Sequence, residues 1–382
     1  MEKSQHDDNP NVAEQYFDFS RQLAERGVSR RDFMKFCSAM SAALALPVTF
    51  APKIAQALDE VKRPTLVWLE FQSCSGDTEA LLRAASPTVA EIVLDILSID
   101  YAETIMAAAG HLAEANLDKV VKEEKGKYIA VIEGSIPLKD GGIYCCVGGR
   151  TAVDRATEVC GGAFATIAVG TCASFGGIPA AAPNPTGAAG VRDAVPGATV
   201  LNLPGCPLNA DNLTATIVHF LLFKKLPATD SFGRPLFAYG KRIHDNCERR
   251  PHFDAGQYVE MWGDEGHRKG FCLYRMGCKG PETWHNCPTQ RYNEKTGWPV
   301  GSGHGCAGCS EPMFWDKMTP FYRRLPSVPG FGIEATADKI GLGLAVGTAA
   351  IFAGHGIISA VRGEEKMEGK KREDLTHDKD RR

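Results

Sequence analysis

The residues of this chain best equipped for chemistry are its thirteen cysteines, which fall mainly into two fields of the 382-residue sequence. An odd number cannot pair completely within one chain, and so many thiols point to metal chemistry rather than to a disulfide framework. The first field is sparse. Cys74 lies in Cys74-Ser75-Gly76-Asp77, Cys172 in Gly170-Thr171-Cys172, and Cys206 in Pro204-Gly205-Cys206-Pro207. Each stands near glycine, where backbone can approach a bulky inorganic cluster and donate amide hydrogen bonds to its sulfides. Three thiolates lack a fourth donor. Asp77, three residues after Cys74, offers a carboxylate oxygen, although an Asp before a helical stretch is also a favoured N-cap. Cys145 and Cys146 are the other possible donors, but they and Cys160 read better as buried, inert thiols.

The second field is dense. His244, Cys247, Cys272 and Cys278 form a set of one imidazole and three thiolates, suited to zinc or to a 4Fe-4S cluster, and spacing alone does not choose between them. Cys287, Cys306 and Cys309 form a set of three, which suits a 3Fe-4S cluster better than structural zinc, because zinc takes a fourth protein ligand.

The elements that must position these residues are legible in the first half. Thr65 to Glu70, Tyr128 to Ile132, Phe164 to Gly170 and Thr199 to Leu203 read as buried strands; Thr78 to Ala84, Val89 to Leu97 and Ala152 to Val159 read as helices. Such alternation implies an α/β fold with a doubly wound parallel sheet, whose ligands sit beyond the carboxyl ends of its strands. Cys74, Cys172 and Cys206 follow three of those ends and should converge. From His244 onward periodicity fades into turns, aromatics and cysteines. With 43 Lys or Arg against 46 Asp or Glu, the formal net charge of −3 argues against a nucleic-acid partner. At 44% hydrophobic and 23% charged residues, disorder over most of the length is excluded.

Both ends carry targeting signals. Ser29-Arg30-Arg31-Asp32-Phe33-Met34-Lys35, an apolar run from Phe36 to Ala51, and Ala55-Gln56-Ala57 together resemble a twin-arginine signal peptide over residues 1–57. Proteins exported this way fold first, so their thiols can already hold metal. Ile340 to Val361 has no acidic or basic side chain except His355 and would rise about 33 Å as a helix, enough to cross a bilayer core of about 30 Å. Within it, Gly343 and Gly347 form a small-residue pair that lets another membrane helix approach. The Lys/Arg-rich tail, 362–382, favours the cytoplasmic side. The expectation is a single-pass protein of the inner membrane with its body on the periplasmic side.

Several segments are specific signatures: Arg242-Ile243-His244-Asp245-Asn246-Cys247-Glu248-Arg249-Arg250-Pro251-His252-Phe253-Asp254, Phe271-Cys272-Leu273-Tyr274, Gly277-Cys278-Lys279-Gly280-Pro281 and Gly303-His304-Gly305-Cys306. With them the chain resembles, over nearly its whole length, the small, electron-transferring subunit of membrane-bound nickel-iron hydrogenases. The resemblance implies a flavodoxin-like domain over 58–240, a domain with two further clusters over 241–330, and a linker with transmembrane helix over 331–361. It implies that Cys74, Cys172 and Cys206 hold a proximal cluster, with Asp77 hypothesised as the fourth ligand of a 4Fe-4S type. His244, Cys247, Cys272 and Cys278 would hold a distal 4Fe-4S cluster, and Cys287, Cys306 and Cys309 a medial 3Fe-4S cluster. The nickel-iron centre would belong to a separate large subunit, and a membrane cytochrome b would pass electrons to quinone. One departure matters: the family's usual Cys is Asp77 here, and Gly76 and Gly177 stand where six-cysteine proximal clusters add thiols, so that cluster type is excluded. The rival readings are an electron-transfer subunit like that of respiratory complex I, which would lack the second field and the leader, and an exported zinc-stabilised binding module.

Overall fold

The computed structural model describes residues 30–60, 64–84, 97–293, 295–322, 345–360 and 362–363. Five strands form one parallel sheet: β1 (Thr65–Glu70), β2 (Ser98–Ala102), β3 (Ile129–Glu133), β4 (Ala165–Val169) and β5 (Val200–Leu203), in the spatial order β2-β1-β3-β4-β5. This is the strand order of flavodoxin-like sheets, with the crevice where the winding reverses between β1 and β3. The four strands expected from their apolar runs are present within a residue of the expected bounds. β2 was not anticipated, because Ser98-Ile99-Asp100-Tyr101-Ala102 is an edge strand, only half-buried over its first residues, and has no continuous apolar run.

Both faces of the sheet are covered. On one, Ala130, Ile132 and Ala168 pack beneath α4 (His111–Glu123) and α5 (Ala152–Gly162). On the other, Leu66, Trp68, Ile129, Val131 and Ile167 pack with Leu213, Ile217 and Leu221 of α7 (Ala210–Phe223). α7 has no exposed residue and buries Leu213, Ile217, Val218 and Leu221 together with Asn212, Thr214 and Thr216, as a helix covered all round does. Its second cover is the N-terminal segment: α1 (Arg30–Ala43) and α2 (Ala51–Glu60) join the same core, with Cys37 and Ile54 fully buried and Phe50 against Phe223. The Ala55-Gln56-Ala57 motif is thus part of a packed helix.

α3 (Gly76–Leu82) begins two residues earlier than expected, and the helix expected over 89–97 lies outside the described residues save Leu97. α6 (Gly170–Phe175) follows β4 directly.

After Tyr239 the chain runs through short helical turns around a small core of Ile243, Val259, Leu273, Cys287, Trp298, Val300 and Cys306. It belongs to the same compact unit as the sheet, which ends at Arg324. Buried Arg234 links the two, donating to Asp230 (2.7 Å), to the Ser310 carbonyl (3.1 Å) and to Glu311 (3.0 Å).

The C-terminal unit contains a helix over 345–360 with exposed Val346, Ile351, Phe352, Ile357 and Ile358. Among the described residues no helix is long and apolar enough to cross a membrane. The expected span, 340–361, lies partly outside them; the described stretch rises only about 24 Å.

Candidate iron-sulfur sites

Parallel strands end on one edge, so the loops after β1, β4 and β5 deliver Cys74, Cys172 and Cys206 to a common place. The Cys172 and Cys206 loops are tied together: Thr171 N–H donates to the Gly205 carbonyl (2.8 Å), and Gly205 N–H to Thr171 Oγ1 (3.0 Å). Burial pushes the Cys172 thiol up to about 11, and Asp77, Cys74 and Glu133 add negative charge. Desolvation also raises Cys206, followed by the charge of Cys309, Cys172, Asp77 and Cys74. All four proposed donors are therefore electrostatic neighbours.

Asp77 does not cap its helix. Ser75, in the left-handed region at φ 56°, occupies the cap position, and Asp77 lies buried in the first turn. Its Oδ1 accepts from Leu208 N–H at 2.7 Å, two residues beyond Cys206. Burial, then the charge of Glu133, pushes its carboxyl up to about 7. Capping is done by Glu133, fully buried at the end of β3: Oε1 accepts from Asp77 N–H (3.0 Å), and Oε2 from Thr78 N–H (3.0 Å) and Thr78 Oγ1 (2.6 Å). Sequence reading missed this residue. A lone Glu ending an apolar strand carries no local signal of what it will meet.

His244, Cys247, Cys272 and Cys278 line one cavity, with Arg249, Arg250, Tyr274 and Pro281 among its walls. Burial, then Arg250, pushes His244 down to about 4, leaving a neutral imidazole suited to ligate metal. Desolvation lifts Cys247 to about 11 and Cys272 to about 12. Cys287 and Cys306 are buried and Cys309 half-buried, and the three interact electrostatically through Cys309. This set lies between the others. Cys309 is bonded by the Cys206 backbone N–H, and Cys306 N–H donates to Cys278 Sγ at 3.3 Å. Among the described residues no three His, Cys, Asp or Glu side chains close around a single metal ion.

The donor surroundings fit clusters. A Cβ at Gly177 would run into the Cys172 sulfur and lie 2.6 Å from its Cα; one at Gly76 would be 3.1 Å from Cys74 Sγ; one at Gly305 would be 3.0 Å from the Cys278 Cα. Backbone comes close to each ligand where a bulky inorganic group needs room. Of the spare thiols, Cys160 is buried and Cys145 half-buried, as expected or nearly so, but Cys146 is exposed: it begins a two-residue ribbon strand (Cys146–Val147) at the surface, and its apolar neighbours do not cover it.

Residues 239–322 match the family model for the C-terminal part of NiFe/NiFeSe hydrogenase small subunits, and 74–220 match that for the 20 Kd subunit of NADH ubiquinone oxidoreductase. The uptake hydrogenase small subunit of Azotobacter vinelandii is 46% identical over 349 residues, covering 91% of this chain and 96% of its own. The chain belongs to the small subunits of nickel-iron hydrogenases. This small subunit is similarly 46% identical to the quinone-reactive Ni/Fe-hydrogenase small chain of Wolinella succinogenes, over 88% of its length and 97% of that protein's. The reduced, active Ni-Fe-Se hydrogenase of Desulfomicrobium baculatum superposes with a TM-score of 0.65 at 34% identity, over 69% of this small subunit and 100% of that chain. The small subunit is thus part of a hydrogenase, an oxidoreductase. It carries iron-sulfur clusters and pairs with a large subunit.

Proposed function

We propose that this small subunit relays electrons from hydrogen oxidation at the large subunit's nickel-iron centre to a membrane cytochrome b and quinone. The observation that carries the reading is the order of the three donor sets, joined by Cys206 against Cys309 and Cys306 against Cys278. Cys74, Asp77, Cys172 and Cys206 would hold a proximal 4Fe-4S cluster, Cys287, Cys306 and Cys309 a medial 3Fe-4S cluster, and His244, Cys247, Cys272 and Cys278 a distal 4Fe-4S cluster. When bound, these groups supply one-electron redox states. The protein's own residues hold them and limit their contact with water: Cys306 is buried, and Cys278 and Cys309 are half-buried between the two halves of the body. Asp77 serves as the eleventh ligand, since its capping task belongs to Glu133 and its carboxylate lies beside Cys172 and Cys206.

The quinone-reactive relative supports a membrane acceptor, and the twin-arginine leader and apolar C-terminal run support export and single-pass anchoring on the periplasmic side. The division at 58–240 and 241–330 follows the two cysteine fields. Metal analysis tests the core of the reading: about eleven irons per chain with matching sulfide are expected, and two zincs without sulfide would refute it. Spectroscopy on Asp77→Cys tests the ligand; an unchanged proximal signal would remove Asp77 from the set.

A further inference from the structure

Lys279 is a lysine without a surface. It is 1% exposed, and its Nζ donates to the Gly277 carbonyl at 2.8 Å. Its backbone is held on both sides: its N–H donates to the Cys306 carbonyl at 2.8 Å, and its carbonyl accepts from Thr283 Oγ1 at 2.7 Å. Thr283 Oγ1 in turn accepts from Cys306 Sγ at 3.6 Å. Burial pushes the ammonium below the ordinary lysine value, and the groups whose charge opposes that are Cys278, Cys306 and Glu282.

A buried ammonium is costly unless anions surround it. Here two of those three groups are thiols of different donor sets, Cys278 of the distal set and Cys306 of the medial set. They meet where Cys306 N–H reaches Cys278 Sγ. A side chain needed only to fill this space would be methionine or leucine, which carry no desolvation cost. A fixed positive charge does something a neutral chain does not: it lowers the energy of an added electron on either side, most effectively where water is excluded. Cluster potentials respond to nearby charge and to solvent exclusion.

We propose that Lys279 sets the medial and distal potentials together, its buried positive charge favouring the reduced state of both, so that an electron passes between them without a deep trap on either. The proposal rests on the cluster assignment above. One electron enters and leaves at each site; no bond is made or broken, and no proton moves.

The test is a redox titration of the purified heterodimer followed by electron paramagnetic resonance, with iron and sulfide counted in every sample. In Lys279→Met, the ratio of oxidised to reduced medial cluster at fixed applied potential should rise at least about tenfold, a shift of about 59 mV for a one-electron couple. Lys279→Arg keeps the charge and should stay within about twofold of wild type on the same scale. Full iron with a wild-type titration in Lys279→Met overturns the proposal, as does a shift in Lys279→Arg equal to that in Lys279→Met. Should Lys279→Met lose iron, Lys279→Gln, which retains an N–H for the Gly277 carbonyl, decides in its place. Loss of iron from both neutral variants overturns the proposal in favour of a purely structural peg. Absence of iron from the wild-type complex would instead strike the cluster assignment, before any variant is compared.

Discussion

Glu133 offers the sharpest test of how the sheet holds the Cys74 loop. Replacing it by alanine leaves the N–H groups of Asp77 and Thr78 and the Trp68 indole N–H without their acceptor and takes from the Thr78 hydroxyl the nearer of its two carboxylates, the other being Glu70 at 3.1 Å, in positions where all three residues are buried. Three of these bonds are no longer than 3.0 Å, and at about 1.5 kcal/mol each for a charged acceptor they sum to about 4–5 kcal/mol. Part of that is offset, because Glu133 is also buried close to Glu70, its register partner on β1, and to Asp77. A net loss of about 3 kcal/mol is expected, roughly two powers of ten in the folding equilibrium. Glu133→Gln keeps one carbonyl oxygen but turns an N–H donor toward other donors, so it should lose about half as much. The assay is denaturant unfolding followed by tryptophan fluorescence, with iron per chain measured in parallel. The alanine variant should lose proximal iron before medial or distal iron. Stability within about 0.5 kcal/mol of wild type, with iron intact, would refute the reasoning.

Other consequences are as specific. Gly177→Ala should disturb the Cys172 site far more than Gly76→Ala disturbs Cys74, since the first adds a Cβ against backbone at φ +59° and the second only approaches a sulfur at 3.1 Å; iron content of the two variants compares them. Burial, opposed by the Glu70 N–H bond, holds Glu103 at about 7. Its folded value is raised, so its contribution to stability is complete below about 4.5 and is lost as pH rises through about 7. Glu103→Gln should therefore match wild type near the acid end of that window and be the more stable protein above it, as urea midpoints at both ends will show. Removing residues 1–57 takes the cover from the outer side of α7, and an apolar dye should bind the truncated isolated chain more strongly than the full chain; equal binding would mean that another segment closes over Phe223.

Sheet type was legible, and candidate donors could be named, because both signals are local. Apolar runs of strand length name β1, β3, β4 and β5, and each is followed within a few residues by its cysteine or, for β3, by a Glu that attracts no notice. β2 escaped notice because an edge strand needs little apolar sequence. Cys146 was misjudged because burial depends on what crosses over a residue, and nothing does. The N-terminal segment looked detachable, yet α1 and α2 lie in the core, since α7, with no exposed residue, is covered on its outer face by them.

By itself the sequence named the candidate ligands and the parallel sheet that brings Cys74, Cys172 and Cys206 to one edge. Only the tertiary structure decided which groups stand between the sets. Glu133 caps α3 from 55 residues away and frees Asp77 for another task, and Lys279 lies buried beside thiols of two different sets. Such roles follow from what surrounds a charge in space, and burial with its partners is a property of the whole packed chain rather than of any stretch of it.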